Sequence, residues 1–253
     1  MASQADDGIF INRLYDLAEG VCVAGKYRFT AFLGLHEQNL LFAEKQGLEY
    51  AGLHLFGGCA DSERKLARFG TPELCGYEQD FPIVLLRLSP VSQKFADKLT
   101  HRDVLGALMG LGIERETVGD IYLHENVAYV FVLSQMADLI CGELSNAKHT
   151  ALACERLETL PENVGIARRR EVFLVASERL DAIVAAVFSI SRETAAQLFK
   201  QDKVFVNGKN MQGSRTAPPQ AVVSVRGFGR FRYEGIDSMS RKGKPRVVVW
   251  IYE

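Results

Sequence analysis

Between residues 179 and 209 the chain spaces side chains that could hold an anion: Arg179, with Asp181 beside it, then Ser191 and Arg192, then Lys200, Lys203 and Lys209. Arginine presents a planar fork of donors that matches a phosphate bidentately, and lysine a compact point charge. A Ser-Arg pair at the start of a helix adds free N–H groups and the positive end of the dipole, so Ser191 and Arg192 make a plausible phosphate clamp. Arg226 and Arg230 flank Phe228, with Arg232 beyond Phe231; basic residues interleaved with aromatics can hold nucleic acid by charge and stacking. At least one of the two phenylalanines is expected in the core, as is Trp250. Arg168-Arg169-Arg170 reads either as a solvated junction or as further phosphate contacts.

Bond-making chemistry finds little support. His101 and Asp103 stand two apart on an expected helix and face away from each other, so they form no dyad. His36, His54, His124 and His149 show no metal-ligand spacing, and Cys22, Cys59, Cys75, Cys141 and Cys154 include no C-x-x-C pair, which leaves neither a zinc site nor a disulfide framework. Gly106, Gly110 and Gly112 lack the strand-turn setting of a nucleotide loop. No catalytic residue, metal, cofactor or small-molecule substrate is expected.

The elements that must position the basic residues follow from pattern. Ser177 is expected to cap a helix running to about Phe188, and Ser191 a second running to about Gln201, together an αα-hairpin. An alternating strand from Lys203 enters the Asn207-Gly208 turn, and strands at Ala221–Arg226, Phe228–Glu234 and Arg246–Tyr252 form a β-rich tail. A strand at Glu171–Ala176 precedes the hairpin. Upstream, Pro82–Leu88, His101–Leu111, Val118–His124, Val127–Leu133, Gln135–Leu144 (capped by Ser134) and Thr150–Arg156 give the order βαββαβ, that of a ferredoxin-like, RRM-like layer. Its third strand lacks the basic, glycine-interleaved aromatics of an RNA-stacking platform, so RNA binding by this sheet is unsupported. The first part reads as a small α/β unit: a helix over Ile9–Val23, another ending at Gly47, a strand at Leu48–Phe56 and a helix at Ser62–Phe69 capped by Asp61.

Charge divides the same way. Before residue 168 there are 14 Lys+Arg against 23 Asp+Glu, a net of −9; from 168 onward there are 16 against 8, a net of +8. The basic block suits a polyanion, because Lys and Arg gain affinity by releasing its condensed counterions. The N-terminus lacks a basic leader and no apolar run approaches the roughly 20 residues that span a bilayer. A cytoplasmic protein off the membrane, monomeric, is expected.

Ser177-Glu-Arg-Leu-Asp181, Ser191-Arg192 and Lys203-Val-Phe-Val-Asn-Gly-Lys209 resemble the S4 RNA-binding domain in order and spacing. Phe56-Gly-Gly-Cys-Ala-Asp-Ser-Glu-Arg64, the segment from His101 to Arg115, Val118-Gly-Asp-Ile121 and Val225-Arg-Gly-Phe-Gly-Arg-Phe231 are similar to the bacterial YlmH proteins. The implied fold class is α+β: an N-terminal α/β unit over 1–78, a ferredoxin-like domain over 79–160 and an S4 domain over 168–253. The implied function is a non-enzymatic factor that binds the 50S subunit carrying peptidyl-tRNA and supports ribosome-associated quality control, including C-terminal tailing of stalled chains. Its partners would be 23S rRNA and tRNA, with Ser177, Arg179, Ser191, Arg192, Lys200, Lys203 and Lys209 as RNA contacts, extended by Arg168, Arg169, Arg226 and Arg230, and with Asp181 orienting the hairpin rather than touching RNA.

Two S4-bearing alternatives stand beside it. One is a pseudouridine synthase or methyltransferase, whose synthase motif Arg179-Leu-Asp181 superficially mimics. That tripeptide lies in the hairpin rather than in a catalytic sheet, and residues 1–160 are short for either enzyme. The other is a photosystem-assembly homologue.

Overall fold

The structure, a computed structural model, describes residues 4–165, apart from the Gln4 and Phe95 side chains, and 168–252. The chain is a mixed α/β protein with several sheets, and it divides into two compact units after Gly165.

The first unit begins with α1 (Gln4–Ala24), whose Leu14, Ala18 and Val21 recur at helical spacing and are fully buried. Then come β1 (Arg28–Phe29), α2 (Leu35–Ala43), α3 (Lys45–Leu48), β2 (His54–Phe56), β3 (Leu66–Phe69) and the single turn α4 (Pro72–Cys75). The three strands form an antiparallel sheet with β3 in the middle, and Ala67 and Phe69 pack with Leu14, Leu41 and Leu48.

Two expectations fail here. Residues 62–69 do not form a helix: the chain bends after Asp61 and runs into β3, whose ladders to β1 and β2 outweigh a local capping signal. Of the strand expected over 48–56 only β2 forms. Leu48 closes α3, and residues 49–51 make a 3-10 turn that Gly52 stops at φ 67°.

The second sheet of this unit is built from β4 (Ile83–Pro90), β5 (Val118–His124), β6 (Val127–Leu133), β7 (Asn146–Ala147) and β8 (Thr150–Leu157). Its order is β5-β6-β4-β8-β7 and every pairing is antiparallel. Between the strands lie α5 (His101–Gly110) and α6 (Ser134–Glu143), which bury Val104, Leu108, Ala137 and Ile140 against Leu86, Leu88, Val130 and Val132. β5 and β6 occupy the residues expected from the sequence, joined by Glu125-Asn126 with both φ positive, 47° and 64°. Ser134 does not cap α6; it is the first helical residue, and its N–H donates to the Pro82 carbonyl at 2.9 Å, so the sheet satisfies that helix end.

All of β6 but Leu133 is buried. On the side away from the helices, Phe131 lies under Gly58, where a Cβ would fall 2.3 Å from the ring. Gly58 also holds φ at 105°, a left-handed backbone that suits glycine.

Thr100 and Asp103 form a capping box on α5, and Lys148 Nζ lies 2.9 Å from the Asp103 carboxylate. The lysine first, then Thr100, hold this carboxyl down at about 2 against an ordinary 3.8. A depressed acid stabilises the folded state above its unfolded value and loses that contribution as pH falls through its folded value. Acid unfolding of the wild type should therefore steepen between pH 3.8 and about 2, and Asp103→Asn should flatten that slope in thermal melts across the range. Parallel pH profiles for the two proteins would remove Asp103 from the acid transition.

The second unit opens with β9 (Arg168–Leu174), then α7 (Leu180–Val187), α8 (Arg192–Lys200), β10 (Val204–Val206), β11 (Lys209–Asn210), β12 (Val222–Val225), β13 (Gly229–Met239) and β14 (Pro245–Tyr252). They make one antiparallel sheet, β11-β10-β12-β13-β14-β9. The first strand of the unit therefore closes beside the last, and the tail is not a separate layer. Its inner face, with Val204, Val206, Val223, Val225, Phe231, Tyr233, Val247 and Val249, packs against Leu180, Ile183, Val184, Ala195 and Leu198 of the two helices.

The chain turns through 117° between α7 and α8, closer to a helix-turn-helix corner than to an antiparallel hairpin. Ser189 at φ 53° closes α7: the Ile190 N–H donates to Ala185 O at 3.0 Å and the Ser189 N–H to Ala186 O at 3.3 Å. Asp202 closes α8 the same way, through bonds from Lys203 to Leu198 and from Asp202 to Phe199. Both are Schellman ends built without glycine.

Candidate nucleic-acid interface

Ser177 lies before the helix it was expected to cap. α7 starts at Leu180 with Arg179 in the N-cap position and no side-chain cap. Its first N–H groups are satisfied by tertiary partners: Leu180 donates to Arg215 O at 3.0 Å and Asp181 to Gly213 O at 2.9 Å. The loop that follows β11 thus does the work assigned to the serine. Gly213 is required there, since a Cβ would lie 2.8 Å from the Phe199 ring. Ser191 does cap α8, accepting from the Thr194 N–H at 3.0 Å.

This geometry brings three of the sequence-selected residues together. The Asp181 carboxylate, with its side chain 8% exposed, accepts from Arg179 Nη2 at 2.6 Å and Nε at 3.1 Å, and from Arg192 Nη2 at 3.0 Å. Burial pushes the Asp181 carboxyl up, but the two guanidiniums outweigh it and hold the group below the usual carboxylate value. Arg179 is raised in turn, mainly by its bond to Asp181. Both arginines remain about half exposed, so one buried carboxylate aims two solvent-facing guanidiniums from two helices and leaves a net positive charge. A groove of about 480 Å³ beside them is lined by Arg179, Asp181, Phe199, Lys200, Met211 and Gly213. Lys203 and Lys209 lie further on, at either end of the β10–β11 hairpin, whose turn holds Asn207 and Gly208 at φ 48° and 79°.

Of the remaining candidates, Arg168, Arg226 and Arg230 sit on the opposite face of the sheet. Strand alternation separates the arginine run: Arg168 and Arg170 share the outer face, whereas Arg169 pairs in register with Ile251, which packs on the core, and its guanidinium meets Glu171 at 2.6 Å. Neither a loop junction nor a single basic face describes them, because β9 begins at Arg168 rather than at Glu171. Arg168 and Arg230 lie over the Tyr252 ring, at 5.1 and 4.7 Å from its centroid, and Arg226 lies over Phe205 at 4.9 Å. Phe231 is in the core as expected and Phe228 is exposed. Trp250, expected in the core, is half-buried on the outer face with Nε1 donating to Glu234 at 2.9 Å. Trp250, Tyr252 and Phe205 were not selected as candidates. Period-two alternation places each on one side of its strand, but only the pairing register shows that the sides coincide.

Residues 77–160 match a family model described as "Putative RNA-binding domain in YlmH". This segment carries 7 Lys+Arg against 12 Asp+Glu, and the side chains of β6 are buried, so no base can stack on that strand. The description thus assigns RNA binding to the layer for which the sequence offered no platform. Over 249 residues the chain is 31% identical to the "Ribosome-associated protein quality control protein P2" of Bacillus subtilis (strain 168), covering 96% of this chain and 94% of that protein. A solved structure, "Cell division protein ylmH from Streptococcus pneumoniae", is similar at 23% identity with a TM-score of 0.47, covering 62% of this chain and 94% of its own. Identity of that order along nearly the whole of both chains, together with the family match at its centre, means that the chain belongs to the YlmH family.

Proposed function

We propose that this chain is a non-enzymatic, cytoplasmic RNA-binding factor that engages the 50S ribosomal subunit carrying peptidyl-tRNA and supports ribosome-associated quality control, including C-terminal tailing of stalled chains. The observation that carries the reading is the full-length likeness to a relative named for that process. The second unit has the helix pair, clamp and hairpin of an S4 domain, and we assign the contacts with 23S rRNA and tRNA to Arg179, Ser191, Arg192, Lys200, Lys203 and Lys209, with Ser177 at their edge. The split βαββαβ order of the second sheet fits a ferredoxin-like domain, so the three-part division at 1–78, 79–160 and 168–253 is kept within this reading. Phosphate contacts position a protein without choosing a sequence, so selectivity comes from the shape of the folded RNA.

The test is co-sedimentation of the protein with 30S subunits, vacant 50S subunits and 50S subunits bearing peptidyl-tRNA, at two salt concentrations. Preference for the tRNA-loaded 50S particle is expected. Equal pelleting with all three, or none, would remove the quality-control role.

A further inference from the structure

The sheet of the second unit has two faces of different chemistry. The inner face is aliphatic and covered by α7 and α8. The outer face is a grid of arginines and aromatic rings. One transverse row, read from the strand registers, runs Val222, Arg232, Trp250, Arg170 across β12, β13, β14 and β9. The next pairs Phe205 with Ser224, Ser224 with Arg230, and Tyr252 with Arg168, while the Arg230 guanidinium lies over Tyr252. Arg226 lies over Phe205 at one end, and Arg246 shares the face opposite Leu174. Two carboxylates of β13 stand near the grid: Glu234 takes the Trp250 indole N–H, and Asp237 lies 3.7 Å from Arg170. Six arginines therefore alternate with three rings on a surface that the hydrophobic core does not use.

We propose that this outer face is a second RNA surface, distinct from the helix-corner clamp, and that it takes unpaired nucleotides whose bases stack on Trp250 and on the guanidinium planes lying over Tyr252 and Phe205, while Arg170, Arg232 and Arg246 hold the phosphates. The proposal rests on the reading of this unit as RNA-binding and adds a second surface and a substrate class to it. Alternating cations and π-faces suit a single strand, because every unpaired base offers a ring face and every link a phosphate. An A-form duplex keeps its bases stacked inside and offers a side-chain grid only backbone, so it presents no base to the indole or to the guanidinium planes. Trp250 and Tyr252 stand two residues apart on one strand, about 7 Å, and the bond to Glu234 fixes the edge of the indole. An RNA held at the corner of α7 and α8 lies on the opposite side of the sheet, so the two surfaces can bind different segments of one folded RNA.

Trp250 is the single tryptophan of the chain, so its emission reports this face alone. The full chain is titrated with a labelled oligouridylate, and separately with a duplex RNA of equal length, following tryptophan emission and the anisotropy of the labelled RNA together. Saturable quenching by the unpaired RNA, at the concentrations where anisotropy rises, is expected, with little quenching by the duplex. Arg170→Ala/Arg232→Ala should weaken that binding at least tenfold and reduce the salt slope by about 0.7 for each phosphate that is no longer neutralised. Trp250→Phe should abolish the signal and weaken binding a few-fold, with circular dichroism confirming the fold of both variants. Binding seen by anisotropy with unchanged emission, and with wild-type affinity in the arginine variant, would overturn the second surface while leaving the RNA-binding reading intact. Equal quenching by the duplex would also overturn it, as would quenching by an acidic peptide but not by RNA. No anisotropy change with any RNA would sink the underlying reading itself.

Discussion

Replacing Arg179 and Arg192 together by alanine should weaken binding to peptidyl-tRNA-bearing 50S particles by about 3 kcal/mol, on the order of a hundredfold. A hydrogen bond to a charged group contributes about 1.5–3 kcal/mol. Each arginine here already shares its charge with Asp181, so the lower half of that range applies to each. The slope of log affinity against log salt should flatten by about 0.9 for each phosphate left without its arginine. Asp181→Asn separates orientation from charge. If the carboxylate only neutralised the arginines, its removal would make the corner more positive and tighten binding. Because it fixes a bidentate fork from one helix and a second guanidinium from the next, the expected result is weaker binding despite the added positive charge. Tighter binding by Asp181→Asn, or an unchanged salt slope in the double arginine variant, would show that RNA does not meet this corner.

The second large effect is on stability. Arg64→Ala is expected to destabilise the first unit by about 3–5 kcal/mol, as losing two hydrogen bonds from a largely desolvated charged group does. The Arg64 guanidinium donates to Phe32 O at 2.7 Å and Val118 O at 3.0 Å, tying the loop before β3 to the start of β5. Asp120 accepts from the backbone N–H of Glu63 at 2.6 Å and of Arg64 at 3.3 Å. Burial pushes the Asp120 carboxyl up and Arg64 down from their ordinary values, and it pushes Arg115 down to about 10, with the charge of Arg64 acting in the same direction. Removing Arg64 takes the side-chain donor from the Phe32 carbonyl, leaves Val118 O with the Arg115 guanidinium, and takes from Asp120 a positive charge that counters its burial. Arg64→Lys should rescue little, since a point charge cannot bridge carbonyls from two segments. Urea unfolding followed by circular dichroism would check this, and a midpoint close to wild type for Arg64→Ala would show that the loop is held by Gly57, Gly58 and apolar packing instead.

A destabilisation of that size is a large share of the roughly 5–15 kcal/mol by which domains are stable. The first unit is therefore expected to unfold as one body through this polar joint.

Much of the secondary structure was legible because the signals were local. Phe10, Leu14, Leu17 and Val21 mark α1 by their spacing, Thr100 with Asp103 in the first turn marks the start of α5, and the Glu125-Asn126 turn separates two strands. The ends of α7 and α8 fell where expected although neither has a glycine, because Ser189 and Asp202 tolerate the left-handed backbone that closes them. The failures share a cause. Residues 62–69 and Ser134 carry capping signals that yielded to strand pairing and to a carbonyl supplied by β4's approach, and the loop at Gly213 took over the capping expected of Ser177.

The candidate site divides along the same line. Arg179, Asp181, Ser191 and Arg192 were readable as a group because a helix corner brings near neighbours in sequence together. The basic-aromatic grid was not, since its members come from strands whose neighbours in the sheet are distant in the chain, β9 beside β14 above all.

The sequence by itself determined which residues alternate, which helices begin at capping boxes, where the charge changes sign and which family motifs are present, because each depends on residues within a turn or two of one another. Only the tertiary structure decided that Asp181 is buried between two arginines, that Trp250 faces outward, and that Arg168 and Arg230 share one tyrosine ring. Those facts depend on register and on which side of the sheet the helices cover, and a period of two fixes neither.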